Sequence, residues 1–237
     1  MGKISGVAYL ASRWIRRQPI WLVQDLFVVI GFAVIMFVWG GLQGLKNVLV
    51  AWFIAGAWGM GVNLVAQFIG WDKQGKVMDM FIASPVRPFH YVFGYFISSL
   101  IFPVVDLAYM LILIIYLNAW TIVLASLVAF LPLLLISNLI GLAIVMRIKK
   151  PTNISAITNP LQMLLIILPP VFYPASVIPE TARYFVLLTP TAAGAEIARE
   201  LSGLSTWHNL WYPSVVLIAW VVIGIVSSAK TVKWGME

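Results

Sequence analysis

The sequence predicts an all-α integral membrane protein with six transmembrane helices. An amphipathic helix should lie on the inner surface before the first span, a short cytoplasmic helix between the second and third, and a re-entrant outer segment before the last. Composition is the first reason. Hydrophobic residues make up 62% of the 237 residues, charged residues 10%, and the mean hydropathy is +0.99, whereas a soluble domain is about a quarter charged. The second reason is that apolar runs long enough to cross a bilayer alternate with polar interruptions too short to fold alone, so residues 1–237 read as a single membrane domain. The third is the sorting of charge. Of the fifteen Lys and Arg residues, Lys46, Arg183 and Arg199 fall on the predicted outside and the other twelve inside. That sorting explains the net charge of +7 without a nucleic-acid partner.

Residues 1–18 carry Ile4, Val7, Ala8, Ala11, Trp14 and Ile15 on one helical face and Arg13, Arg16 and Arg17 on the other, the pattern of a helix lying flat on the inner leaflet. With no uncharged apolar region or small-residue cleavage site there, the amino terminus is expected to be retained. Pro19 should end this helix. Span one covers about 20–42, with Asp25 close enough to the cytoplasmic end to meet headgroups or the arginines before it. Gly40, Gly41 and Gly44 with Lys46 form the outer turn. Span two, about 48–70, holds Ala55, Gly56, Ala57, Gly59 and Gly61, small residues that let helices approach closely. Its polar members, Asn63 and Gln67, suit an interhelical hydrogen bond or the lining of a pathway.

Residues 71–90, WDKQGKVMDMFIASPVRPFH, form the longest polar interruption in the first two thirds of the chain, and Lys73, Lys76 and Arg87 place it inside. A short helix fits its middle. Gly75 precedes that helix, Lys76, Asp79 and Ala83 share one face, and Met78, Phe81 and Ile82 share another. Ser84-Pro85 should end it, because the residue before proline is pushed out of the α region. Such a helix can dock a soluble partner or simply lie on the headgroups. Span three, about 91–117, should kink at Pro103. Asp106, a turn beyond, is an intramembrane carboxylate and so a candidate functional group. It has no basic partner at its depth and is expected to be protonated or bonded to Asn138 or Asn63.

Asn118 and Ala119 make a minimal outer hairpin, and span four, about 120–146, ends inside at Arg147, Lys149 and Lys150. Span five begins near Asn153 and should break at Pro169-Pro170. Residues 169–208 are apolar, punctuated by proline and dotted with Glu180, Arg183, Glu196, Arg199 and Glu200. Broken helices of this kind are tolerated where protein or a water-filled cavity satisfies their backbone. Span six, about 210–229, returns inside, where Lys230 and Lys233 lie near both the chain's end and the side that holds its start.

Two stretches together resemble one family. Asp79, Met80-Phe81-Ile82 and Ala83-Ser84-Pro85-Val86-Arg87 resemble the coupling helix of ABC-2 type transporter permeases, whose acidic residue stands six positions before a Ser-Pro or Thr-Pro pair. Outside, Phe172-Tyr173-Pro174-Ala175-Ser176-Val177-Ile178-Pro179, then Leu187-Leu188-Thr189-Pro190 and Arg199, resemble that family's signature between its last two spans. Asp72 stands where the family more often has Glu, and Gly75 comes one residue before the usual glycine. The resemblance implies an exporter permease of the plasma membrane, with both termini cytoplasmic, paired as a homodimer or heterodimer and bound to two copies of an ATP-binding cassette subunit. Lys76, Asp79, Met80, Phe81, Ser84, Pro85 and Arg87 would meet that subunit. Phe172, Tyr173, Pro174, Pro179, Pro190 and Arg199 would form an outer gate, and spans one, two and five would line the path. The chain has no G-x-x-x-x-G-K-[ST] loop, so ATP and its magnesium are expected on the partner and no cofactor on this chain.

Other chemistries find little support. The two histidines, His90 and His208, fall on opposite faces, there is no cysteine, and no metal site is expected. A channel or ion-coupled transporter working through Asp106 is the main rival, although no internal repeat is evident. Few polar side chains line the spans, which favours an apolar or amphiphilic cargo (drug, lipid or lipid-linked glycan), with polysaccharide second.

Overall fold

The computed structural model describes residues 2–17, 20–148 and 150–231. Within them every regular element is helical, and no strand occurs among the described residues. The helices are α1 (Lys3–Arg17), α2 (Ile20–Gly59), α3 (Ala66–Gln74), α4 (Val77–Ile82), α5 (Pro88–Ser99), α6 (Ile101–Tyr116), α7 (Trp120–Arg147), α8 (Ile154–Ile167), α9 (Glu180–Val186), α10 (Pro190–Leu201) and α11 (Trp211–Thr231). Three described stretches are long and apolar enough to cross a membrane: Leu26–Gln74, Trp120–Arg147 and Trp211–Lys230. Shorter apolar helices are Leu107–Tyr116 and Ile154–Ile167. The expected stop at Pro19, together with Lys149 and Lys233, lies outside the described residues.

The stretch Leu26–Gln74 runs 49 residues, more than twice the roughly 20 that one crossing needs. It is broken at Gly41, which adopts φ 54, ψ −141 inside α2. Just beyond, a side chain on Gly44 would strike the backbone carbonyl of Met36. A straight helix would hold those two residues roughly 12 Å apart at about 1.5 Å per residue, so the chain bends sharply back at the glycines. The polar last turn, Trp71–Gln74, belongs to the loop segment.

Between α2 and α3, Met60–Val65 widens into a π-helical turn. Its cause is the neighbour. A side chain on Gly61 would strike Ser137 and the backbone of Asn138, and one on Gly141 would strike the Gly61 carbonyl. At that crossing the Ser137 hydroxyl donates to the Ala57 carbonyl at 2.6 Å. Backbone groups disturbed by a π turn need such partners.

Helix α7 is the hub, packing against α2, the π turn, α3, α10 and α11. Its contacts centre a main core that includes Leu49, Trp58, Phe130, Leu133 and Leu134. A second core at the other end joins Val7, Phe68, Ile69, Tyr91, Tyr95, Val145 and Ile154. There α1 lies against α5, and a side chain on Gly94 would strike Val7. The expected third span divides into α5 and α6 at Leu100, whose N–H bonds the Ile97 carbonyl. The break precedes Pro103, and a proline there has no N–H to give the carbonyl four residues back, at Ser99.

Candidate functional site

The polar 71–90 segment folds into a compact corner. Lys76 takes a left-handed conformation, φ 56, immediately before α4, a geometry that costs an L-residue roughly 1 kcal/mol or more. The six residues of α4 then present two faces. Met78 is buried, Phe81 and Ile82 are half-buried, and Lys76, Asp79 and Met80 are exposed. Met80 is 72% exposed, a large apolar side chain held outward with Lys76 and Asp79 beside it. Phe81 instead meets the ring of Tyr91 edge-on at 5.3 Å. The Ser84 hydroxyl donates to the Phe81 carbonyl at 2.7 Å and accepts from the Val86 N–H at 3.3 Å. Pro85 and Arg87 are exposed, and the Arg87 N–H donates to Nδ1 of His90 at 3.0 Å. Of the predicted contact residues, Lys76, Asp79, Met80, Pro85 and Arg87 thus form the surface, while Phe81 and Ser84 hold its shape.

Two groups that periodicity did not single out anchor this corner. Lys73 donates to the carbonyls of Val145 at 3.1 Å and Ile148 at 3.3 Å, placing a cation on the carboxyl end of α7, where the helix dipole favours it. Asp72 Oδ2 accepts from Tyr91 at 2.8 Å and Tyr95 at 2.5 Å, joining the end of α3 to α5. Burial pushes the Asp72 carboxyl above its ordinary range, and the two phenol donors oppose that shift.

On the other side, 169–208 is knotted by buried charge. The proline pair ends α8 at Ile167, and each proline withholds a backbone donor. One orphan is the Leu165 carbonyl, which Pro169 cannot bond. It accepts from the Thr191 hydroxyl at 2.5 Å. Arg199, fully buried, donates to the Pro170 carbonyl at 2.8 Å, the Val171 carbonyl at 2.5 Å and Asn47 Oδ1 at 2.8 Å. Glu196 lies 3.6 Å from that guanidinium and accepts from Ser205 at 2.5 Å and the Ala175 N–H at 3.3 Å. Arg183 donates to the carbonyls of Ala175, Ser176 and Ile178 and sits 5.6 Å over Trp207.

Phe172 stacks on Phe32 of α2 at 4.7 Å, nearly parallel. Tyr173 and Pro179 are exposed, Pro174 is half-buried, and Pro190 is buried at the start of α10. Helix α10 is buried through Arg199 and packs on α7, α11 and α2. Thr191 and Asn47 were not among the sequence candidates. A proline's missing donor marks the orphaned carbonyl, but nothing local marks the residue that satisfies it.

The polar residues expected within the spans divide. Asn63 donates to Gln162 and accepts from Gln67 and Thr158, the last at 3.0 Å, and Gln67 reaches Asn159 at 3.4 Å. Five uncharged polar side chains from the π turn, α3 and α8 therefore converge, with Asn159 exposed at the edge. Asn138 is buried, donates to the Leu134 carbonyl at 2.8 Å, and leaves its own Oδ1 unbonded. The side chains of Asp25 and Asp106 lie outside the description. No group of three or more metal-ligating acids, histidines or cysteines occurs among the described residues.

Met80 and Asp79 thus stand outward on α4, and the proline-broken stretch 169–208 is held by the buried Arg199 and Glu196. An ABC-2 type transporter family model matches residues 7–201, which takes in α4 and the second segment as far as the end of α10. The chain belongs to the ABC-2 type transporter family. A comparison with curated proteins returns no match. As an ABC-2 protein it is the transmembrane permease of an ABC-type transporter, of a family generally non-catalytic in itself and working with an ATP-binding partner.

Proposed function

We propose that this permease is the membrane half of an ATP-driven exporter, moving an apolar or amphiphilic molecule outward across the plasma membrane. It crosses six times with both termini inside, binds two ATP-hydrolysing subunits and works as a dimer, most simply of two identical copies. The observation that carries the reading is the α4 corner. Met80 and Asp79 stand outward on α4, which packs on α3, and α3 is tied through Asp72 and Lys73 to α5 and α7, so force applied there reaches the bundle as rigid-body motion. Span one supports pairing. Phe27, Val34 and Val38 are each more than half exposed, an apolar face suited to lipid or a second copy. The Asn63–Gln162 cluster favours a cargo with a hydrogen-bonding head, such as a lipid-linked glycan, over a purely apolar one. ATP and magnesium reside on the partner.

Inside-out vesicles carrying the permease with its ATPase test this reading. ATP should drive uptake of a fluorescent amphiphile, and uptake should survive collapse of the proton gradient. Uptake driven by a pH gradient without ATP, and lost in Asp106→Asn, contradicts it and supports an ion-coupled transporter.

A further inference from the structure

At the inner end of the bundle, α1, α3, α4 and α5 line a half-open cavity of about 300 Å³, at the lower limit for small-molecule sites. Among the described residues its wall carries one cation, Arg13, and one anion, Asp72, together with Tyr95 and the apolar Leu10, Val77 and Phe81. The two charges face one space without forming an ion pair. Asp72 spends Oδ2 on the tyrosines, and Oδ1 has no protein donor among the described residues. A lone anion entering here meets Asp72, and a lone cation meets Arg13. A ligand with both charges satisfies each wall.

The setting selects the source. Helix α1 is amphipathic, with Val7 and Ala8 buried against α5 and Arg13 exposed, as expected for a helix in the interface. Leu10 is 52% and Val77 37% exposed, so apolar surface is available beside the charges for an acyl chain. We propose that this cavity binds the headgroup of a zwitterionic inner-leaflet phospholipid, its primary ammonium at Asp72 and its phosphodiester at Arg13. Such a lipid bridges α1 to the α3–α5 corner. Lipid retention is read on the permease alone, without ATP or the ATPase, so the proposal stands or falls apart from the exporter reading.

The test uses the full-length permease in phosphatidylcholine nanodiscs doped with phosphatidylethanolamine or phosphatidylglycerol, with bound lipid counted by native mass spectrometry. Phosphatidylethanolamine should be retained over phosphatidylglycerol and over the bulky quaternary head of the matrix lipid. Arg13→Gln, at an exposed position, should lower that retention about tenfold, the scale of one charge-assisted bond. Asp72→Asn keeps an acceptor for the tyrosines and should shift the preference toward phosphatidylglycerol. Equal retention of all three lipids, or an unchanged preference in both variants, overturns the proposal. Soluble glycerophosphoethanolamine competing as well as the lipid does overturns the lipid as source.

Discussion

Arg199 shows how one side chain can make a proline break tolerable. Its guanidinium collects two main-chain carbonyls and Asn47, with Glu196 close by. Such a planar fork has no equivalent in lysine. Truncating one member of a buried charged network costs about 3–5 kcal/mol. Arg199→Ala should therefore lower the thermal midpoint sharply in detergent, and Arg199→Lys should recover only part of it, as read by a fluorescence melting assay. Thr191→Val, which keeps the shape and removes the donor to Leu165, should cost about 1–3 kcal/mol by the same assay. At Lys76 the strain is conformational. Lys76→Gly relieves the left-handed geometry and should raise the midpoint, whereas Lys76→Val should lower it.

Among the elements, the crossing of the π turn with α7 is the tightest seam. Gly61 and Gly141 face each other without room for a side chain. Gly141→Leu should prevent close approach and give aggregated protein on size exclusion, while Gly40→Ala, with open space around it, should be silent. Much of this level was legible in the chain. The apolar runs gave α7, α8 and α11 close to their expected bounds, Pro169-Pro170 marked the end of α8, and the alternation in 76–83 separated Met78 and Phe81 from Asp79. Those signals are local, carried by residues a few positions apart. The convergence of Asn63 with Thr158 and Gln162, or of Asn47 with Arg199, joins residues far apart in sequence. Periodicity carries no information about such pairs. The division at Leu100 was half visible: proline announced a kink but not that the helix would end before it.

Over the whole molecule, two tied ends flank a bundle built around α7. Phe32 stacked on Phe172 links α2 to the 169–208 segment, and Asp72 and Lys73 link α3 to α5 and α7. The expected topology places these ends on opposite sides of the membrane, and the absence of cysteine makes that measurable. Lys76→Cys should react with an impermeant maleimide only after the cytoplasmic side is opened, and Glu180→Cys in intact cells. Asp79→Lys reverses a charge beside Met80 and should weaken both co-purification of the ATPase and its coupled turnover; unaltered values remove α4 as the contact. The central claim, a permease driven by a separate ATPase, is tested most directly by gentle purification from the native membrane. A stoichiometric ATP-hydrolysing subunit should accompany the chain. A solitary permease, with no ATPase bound at any detergent concentration that keeps it folded, would contradict it.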